Sequence, residues 1–195
     1  FVIYRTTYDS DHEWAKCLQI IRSSMAHVLE YYGGLDILEM NPFTVFDDQS
    51  LFANASTDTV RQHFKTWTVT APEQEQGTSK YTDPRVGSPR YRFCIQIDET
   101  CLRSIVDDTT SLSLGFVKLI RASWRADEEP ESESASDPCE NLGMYPEIEG
   151  CTAYDVGWTD IRQNEILDLY CHFHNRVIWD ARYVRPPRVA KAHAV

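Results

Sequence analysis

The sequence predicts an α+β fold with a ferredoxin-like split β-α-β core, and three observations support this fold class. Residues 91–97 alternate apolar and polar side chains, which is the pattern of a half-buried strand. The period changes to helical spacing directly after Asp98, so this strand leads straight into a helix. The chain opens in the same way, with a strand-like segment at 1–8 before a helical segment at 10–32, and residues 115–124 supply a closing strand.

The first strand and helix are predicted from composition and from capping residues. Residues 1–8 (FVIYRTTY) are rich in aromatic and β-branched side chains, which favour strands. Residues 10–32 place apolar side chains at helical spacing, and Ser10 with Glu13 forms a capping box at the N-terminal end. Gly33 follows and is expected to end the helix.

The middle of the chain adds a short strand, a helix and two irregular segments. Residues 43–47 (FTVFD) are predicted as the second strand, and Ser56 as the N-cap of a helix inserted after it. Residues 71–90 contain three prolines and two glycines, so we expect a long surface loop. Residues 127–140 hold seven acidic residues and no lysine or arginine, which predicts an acidic, mobile insertion.

The C-terminal part is predicted to extend this core by a helix and a strand. The helix is expected at about 163–173, and the alternation over 176–184 predicts a last strand that Pro186 stops. Without the inserted helix, the order of elements is β-α-β-β-α-β. In a ferredoxin-like fold this order gives an antiparallel sheet with both main helices on one face and the other face open.

Composition indicates a single domain over residues 1–195. Hydrophobic residues make up 42% and charged residues 25%, which is typical of a globular protein. No apolar run approaches the ~20 residues that a membrane-spanning helix needs. The net charge is −11, and without the seven acids of 127–140 about −4 remains. Six cysteines are too few for a disulfide scaffold, so we expect an intracellular, cytoplasmic chain, with secretion as the alternative.

The open sheet face is the first candidate site. Polar and cationic side chains are uncommon in strand centres unless they meet water or an anion. Four such residues, Tyr4, Arg92, Gln96 and Lys118, are expected on the open face and are candidate ligand-binding residues. A solvated sheet face, or one covered by the C-terminal segment, is the simpler explanation of these residues.

Three other classes of site are disfavoured by the sequence. An RNA recognition motif needs a glycine and alternating aromatics in its third strand, which 90–97 lacks, and the negative net charge also disfavours nucleic acid. His172 and His174 are two residues apart, so on a helix they point in different directions and cannot share a metal ion. The motifs of nucleotide cofactors and catalytic nucleophiles are absent from the sequence, so no cofactor and no catalytic residue is assigned.

The second candidate site is the loop 149–158 (EGCTAYDVGW). Two glycines, an aspartate and several apolar anchors predict a shaped loop, with Cys151, Asp155 and Trp158 as candidate residues. A packed connection that buries Trp158 against the sheet is the alternative. A Cys139–Cys151 disulfide would bridge this loop in a secreted chain.

Five motifs in order, FVIYRTTY, RYRFCIQIDE, GFVKLI, EGCTAYDVGW and YVRPP, resemble a group of proteins from filamentous fungi for which no activity is established. The resemblance spans nearly the whole chain and implies a fungal, intracellular source. It implies no substrate, cofactor or catalytic residue.

The function expected from these observations is a non-catalytic module that binds a ligand or a protein through the open face or the 149–158 loop. Its partner would be another protein, a second copy in a homodimer, or a small anionic molecule, and neither nucleic acid nor a membrane. The first alternative is a cofactor-free enzyme acting on a small acidic substrate, with Arg92, Gln96 and Lys118 binding the anion and Asp98 or a histidine as acid or base. The second alternative is a secreted, effector-like fungal protein.

Overall fold

The computed structural model describes residues 1–40, 43–77, 88–108, 114–125, 145–172 and 176–190. The strands are β1 (Val2–Arg5), β2 (Thr44–Phe46), β3 (Phe93–Ile97), β4 (Phe116–Arg121), β5 (Trp158–Arg162) and β6 (Val189–Ala190). The helices are α1 (Asp11–Tyr31), α2 (Leu35–Met40), α3 (Gln49–Phe52), α4 (Thr57–Gln76), α5 (Glu99–Val106), α6 (Ile166–His172) and α7 (Arg176–Arg182).

These strands form one six-stranded mixed sheet in the order β2-β1-β3-β4-β5-β6. The strand β1 runs parallel to both of its neighbours, β2 and β3. Antiparallel pairing then joins β3 to β4 and β4 to β5, and β6 pairs parallel to β5. All of the core strands are therefore held in a single sheet.

One face of the sheet packs against α1, α5 and α7. The helix α1 begins at the N-cap Ser10, whose side chain accepts from the Glu13 backbone N–H, and it buries a stripe that includes Cys17 and Ile21. This stripe joins Leu102 of α5 and Trp179 of α7 in one apolar cluster with the inward residues of β1, β3, β4 and β5. The long helix predicted for the start of the chain is confirmed.

The other face packs against α3 and α4. Phe52 of α3 and Val60 and Phe64 of α4 are buried with Val2, Tyr4, Cys94, Ile120 and Trp158 of the sheet in a second apolar cluster. The expectation of an open sheet face is therefore corrected, because α4 occupies that face. The sheet is the middle layer of three.

The α+β class is confirmed, whereas the specific ferredoxin-like topology is not. The inserted helix explains the difference. At 20 residues α4 is roughly 30 Å long. It carries the chain from β2 past β1, so that β3 pairs parallel to β1 instead of forming an antiparallel hairpin with β2.

The helix α4 also extends into the segment 71–90 that was expected to be a loop. Ala71 and Pro72 are buried inside the helix, which ends at Gly77 with a left-handed φ of 65°. Residues 78–87, and all of the acidic segment 127–140, lie outside the described residues. The expectation of an insertion at 127–140 therefore stays a prediction.

The predicted C-terminal strand is the helix α7. Trp179 lies in this helix and Tyr183 directly follows it, and the Tyr183 backbone N–H donates to the Trp179 carbonyl over 2.7 Å, as in a helix. Both rings pack inward, with Trp179 stacked 5.5 Å from the ring of Phe93. No helix in the described part of the chain is both long enough and apolar enough to cross a bilayer.

Candidate functional site

Four polar side chains on adjacent strands form a line across the sheet, which we call the polar row. Its residues are Tyr4 of β1, Gln96 of β3, Lys118 of β4 and Asp160 of β5, and each is the direct register partner of the next. Register partners point to the same face of a sheet. Three of the four residues predicted from the sequence, Tyr4, Gln96 and Lys118, are thus brought together.

The polar row lies near the carboxyl ends of β1 and β3. From β1 the chain goes through α1 to β2 on one side, and from β3 it goes through α5 to β4 on the other side. Both connecting helices, α1 and α5, pack on the face of the sheet opposite the polar row. The polar row therefore lies on the face of the sheet that α3 and α4 cover.

Lys118 is held in place by an acid and an aromatic ring. Its Nζ lies 2.7 Å from Oδ2 of Asp98 and 4.7 Å from the ring centre of Trp158. The other carboxylate oxygen of Asp98 accepts from the Cys101 backbone N–H over 2.9 Å and so caps α5, as predicted. The side chains of Lys118 and Asp98 are 17% and 27% exposed, so the polar row meets solvent here.

Gln96 presents an unpaired acceptor at this site. Its Nε2 donates to the Ala55 carbonyl over 2.9 Å and to Oγ1 of Thr6 over 3.2 Å. Because a carbonyl can only accept, the Ala55 contact fixes which way the amide points. Gln96 is only 2% exposed, and its Oε1 has no hydrogen-bond partner among the described residues.

Asp160 presents a second unpaired acceptor on the other side of Lys118. It is 5% exposed, and its Oδ1 finds no donor within the described part of the chain. Burial raises the pKa of Asp160 from 3.8 to about 7; the charge of Lys118 opposes this rise and that of Asp98 adds to it. A carboxyl whose pKa is strongly perturbed by burial and by charged neighbours is a candidate for a functional site.

Asp98 and Lys118 respond differently to the same surroundings. Burial acts to raise the pKa of Asp98, but its hydrogen bonds to Lys118 and Cys101 and the lysine charge outweigh this, so the pKa is lowered. Burial acts to lower the pKa of Lys118, but Asp98 outweighs it and the pKa is raised. At neutral pH the site thus holds an ionised Asp98–Lys118 pair beside a partly protonated Asp160.

Tyr4 closes the far end of the polar row. It is fully buried, and its hydroxyl lies 2.8 Å from Nδ1 of His63. Its ring stacks on Phe46 at 4.9 Å and meets Phe52 edge-on at 5.2 Å. Tyr4 is therefore a core residue, and it is not available to a partner protein at the surface.

Arg92 lies apart from the polar row. It follows the short 3-10 turn Pro89–Tyr91 and precedes β3, so it is at the opposite end of that strand from Gln96. Its guanidinium carbon lies 5.6 Å from the ring centre of Phe93. The structure does not bring Arg92 together with Gln96 and Lys118.

The residues predicted in the 149–158 loop mostly contribute to packing. Asp155 accepts from Nε1 of Trp179 at 2.9 Å, from Arg121 at 3.0 Å and from the Gly157 N–H at 2.6 Å. Trp158 is buried in β5. These contacts match the alternative of a packed connection.

Cys151 is half-buried and lines a cavity of about 290 Å³ beside the N-terminal end of α4. This cavity is closed on one side by Glu149, whose carboxylate accepts from the hydroxyl and backbone N–H of Thr57. Cys139 lies outside the described residues, so the Cys139–Cys151 disulfide stays a prediction.

The sequence prediction missed Asp160, the most perturbed acid of the site. The strand β5 begins at Trp158, inside the segment that was interpreted as a loop. The segment WTDIR shows no apolar–polar alternation, because each face of the strand carries one apolar and one polar residue: Trp158 with Asp160, and Thr159 with Ile161. The pairing of β5 with β4 is what brings Asp160 opposite Lys118, and no local pattern indicates this pairing.

Within the described residues, no group of three or more histidine, cysteine, aspartate or glutamate side chains is placed to hold a metal ion. Of the two histidines weighed as ligands, His172 makes a hydrogen bond of 2.7 Å to the Asp168 carbonyl, and His174 lies outside the described residues.

Comparisons with protein-family models, with curated proteins and with solved structures gave no match. The functional argument therefore depends on the geometry of the polar row.

Proposed function

We propose that this protein binds a small polar molecule at the polar row, through hydrogen bonds that the ligand donates. One observation carries the proposal: Oε1 of Gln96 and Oδ1 of Asp160 are buried acceptors without a partner among the described residues, on either side of Lys118. A buried acceptor left unpaired costs roughly 1–3 kcal/mol, so two of them in one row favour a ligand that supplies the donors.

The charge balance supports a donor-bearing ligand over the small anion expected from the sequence. The charge of Lys118 is already matched by Asp98 at 2.7 Å. Arg92, the second cation expected to bind an anion, lies at the other end of β3. An anion at the polar row would meet two acceptor oxygens and one neutralised lysine.

The proposal is tested by NMR with a library of small polar fragments on the ¹⁵N-labelled chain. We expect some fragments to shift the backbone amides of Gln96, Lys118 and Asp160, and Asp160→Asn to weaken their binding at least ~10-fold. The matched control is Asp36→Asn, which changes an exposed aspartate on α2 and should leave binding unchanged. A library in which no fragment shifts these amides, or equal binding by Asp160→Asn, would contradict the proposal.

A second candidate function, acid–base catalysis on the bound molecule, is favoured by the opposite pKa shifts of Asp98 and Asp160. Two acids whose environments separate their pKa values are the usual arrangement of a general acid and a general base. Asp160, titrating near 7, would be the group that exchanges a proton. A fragment that the wild type converts and Asp160→Asn only binds would favour this candidate.

A further inference from the structure

We infer that the ligand of the polar row carries a protonated primary amine, which pairs with the carboxylate of Asp160 next to the face of Trp158. This inference rests on the proposed function and names the chemical class of its ligand. It follows from the charges, the donors and acceptors, and the route from solvent.

Among the described residues, the charges of the site leave one acid without a cation. Asp98, Lys118 and Asp160 are two acids and one base, and Lys118 is paired with Asp98. The register partner of Asp160 on β6 is Val189, which brings no charge. The nearby thiol of Cys101 stays neutral, because burial raises its pKa well above the usual value. A ligand ammonium supplies the missing positive charge.

The hydrogen-bonding groups agree with this. An ammonium group is a donor with three N–H bonds and no acceptor, so it complements an acceptor such as Oδ1 of Asp160. A hydroxyl could donate one bond, but it would not compensate the buried negative charge. The ring of Trp158, which is on the same strand and face as Asp160 and already contacts Nζ of Lys118, also favours cations.

The route for a small amine would pass Lys118 and Asp98, because Asp160 itself is only 5% exposed. The partly exposed side chains of Lys118 and Asp98 mark where the polar row opens. The net charge of −11 also attracts cations toward the protein as a whole.

Binding of this kind has a proton balance that can be measured. When Asp160 is protonated, its carboxyl O–H bond must break, the proton passes to the buffer, and the carboxylate accepts an N–H of the ammonium. Binding of an amine therefore becomes tighter as the pH rises through about 7, where Asp160 titrates. The amine itself stays protonated over this range because an alkylammonium titrates near ~10.

The experiment compares two matched probe pairs on the full chain: ethanolamine with ethylene glycol, and benzylamine with benzyl alcohol. Binding is measured by NMR at pH 6 and pH 8, and the ¹³C carboxyl signal of Asp160 is titrated with and without each probe. We expect the amines to bind ~10-fold more tightly at pH 8 and to lower the pKa of Asp160. Asp160→Asn should remove the pH dependence.

Several outcomes would overturn the inference. Hydroxyl probes that bind as tightly as the amines, or amine binding that is independent of pH, would reject the cation and leave the polar site standing. If glycolate binds more tightly than any amine, the ligand is an anion and the inference of an ammonium group is wrong. If neither these probes nor the fragment library shift the amides of Gln96, Lys118 and Asp160, the acceptors are satisfied by solvent and the proposed function fails as well. The titration of wild-type Asp160 keeps the test valid even if Asp160→Asn does not fold.

Discussion

Two aspartates share Lys118, and their surroundings make them opposite contributors to stability. Asp98 has a lysine, a backbone N–H and partial exposure to satisfy its charge, so the folded state favours its ionised form. The positive charge of Lys118 also acts on Asp160, but Asp160 is only 5% exposed and its Oδ1 has no donor among the described residues. The folded state therefore favours the protonated form of Asp160. The difference comes from hydrogen bonding and burial, since both residues carry the same chemical group.

Asp160→Asn should therefore stabilise the protein at neutral pH and not in acid. In the wild type the folded state keeps the Asp160 proton up to about pH 7, whereas the unfolded chain releases it near 3.8, so unfolding becomes easier as the pH rises between these values. Asparagine does not titrate. We expect the free energy of unfolding of the variant, relative to wild type, to rise by about 3 kcal/mol between pH 4.5 and 7.5, as measured by urea denaturation.

Asp98→Asn is the matched control, because it should have the opposite sign. The lowered pKa of Asp98 means that its contribution is present above the unfolded value and is lost as the pH falls through the folded one. This variant should be less stable than wild type at pH 7, and the difference should shrink in acid. A difference between Asp160→Asn and wild type that is constant across this pH range would show that Asp160 is ionised in the folded state.

Among the elements, α4 decides what the second face of the sheet can do. It covers Tyr4 and Cys94, whereas Lys118 on the same face remains 17% exposed. The buried Arg61 of α4 donates to the carbonyls of Arg121, Val156 and Gly157 and so fixes the helix to β4 and to the loop before β5. The helix α4 therefore covers the second apolar cluster and also borders the polar row.

Truncation of Phe64 tests this packing of α4. Phe64 is fully buried between the helix and the sheet, so we expect Phe64→Ala to lower the free energy of unfolding by about 3–5 kcal/mol. The matched control on the same helix is Val69→Ala, at a position that is 58% exposed, where a change within ~0.5 kcal/mol is expected. Equal, small effects at both positions in urea denaturation would mean that this face of the sheet is not covered.

For individual helices and strands, the sequence predicts the features that depend on residues close together in the chain. Ser10, Ser56 and Asp98 were recognised as N-caps because a cap depends on residues within one turn, and all three accept from backbone N–H groups as expected. The pairing of β3 with β1 depends instead on where a 20-residue helix crosses the sheet, which no local pattern states. Gln96 and Lys118 could be named as candidates because each is a polar residue within a local strand pattern. Their alignment with Asp160 depends on how three strands pair, so it could not be derived from the sequence.

At the scale of the whole molecule, three buried cysteines report on different parts of the three-layer structure. Cys17 lies on α1 and Cys101 on α5, both packed on the first face of the sheet, whereas Cys94 of β3 points to the face covered by α4. Burial raises the pKa of Cys17 to about 12 and raises the pKa of both Cys94 and Cys101. None of the three is a reactive thiolate in the folded protein, so their modification requires the layers to separate.

Alkylation of these thiols therefore measures whether the two layers of helices open together. If the described core unfolds cooperatively, iodoacetamide at pH 8 should modify Cys17, Cys94 and Cys101 at one common, slow rate that urea accelerates equally. The half-buried Cys151 is the internal control and should react faster. Modification is followed by mass spectrometry, with fragmentation to separate Cys94 from Cys101. A faster rate at Cys94 than at the other two would show that α4 detaches from the sheet on its own, which would open the buried face beside the polar row without unfolding the first layer.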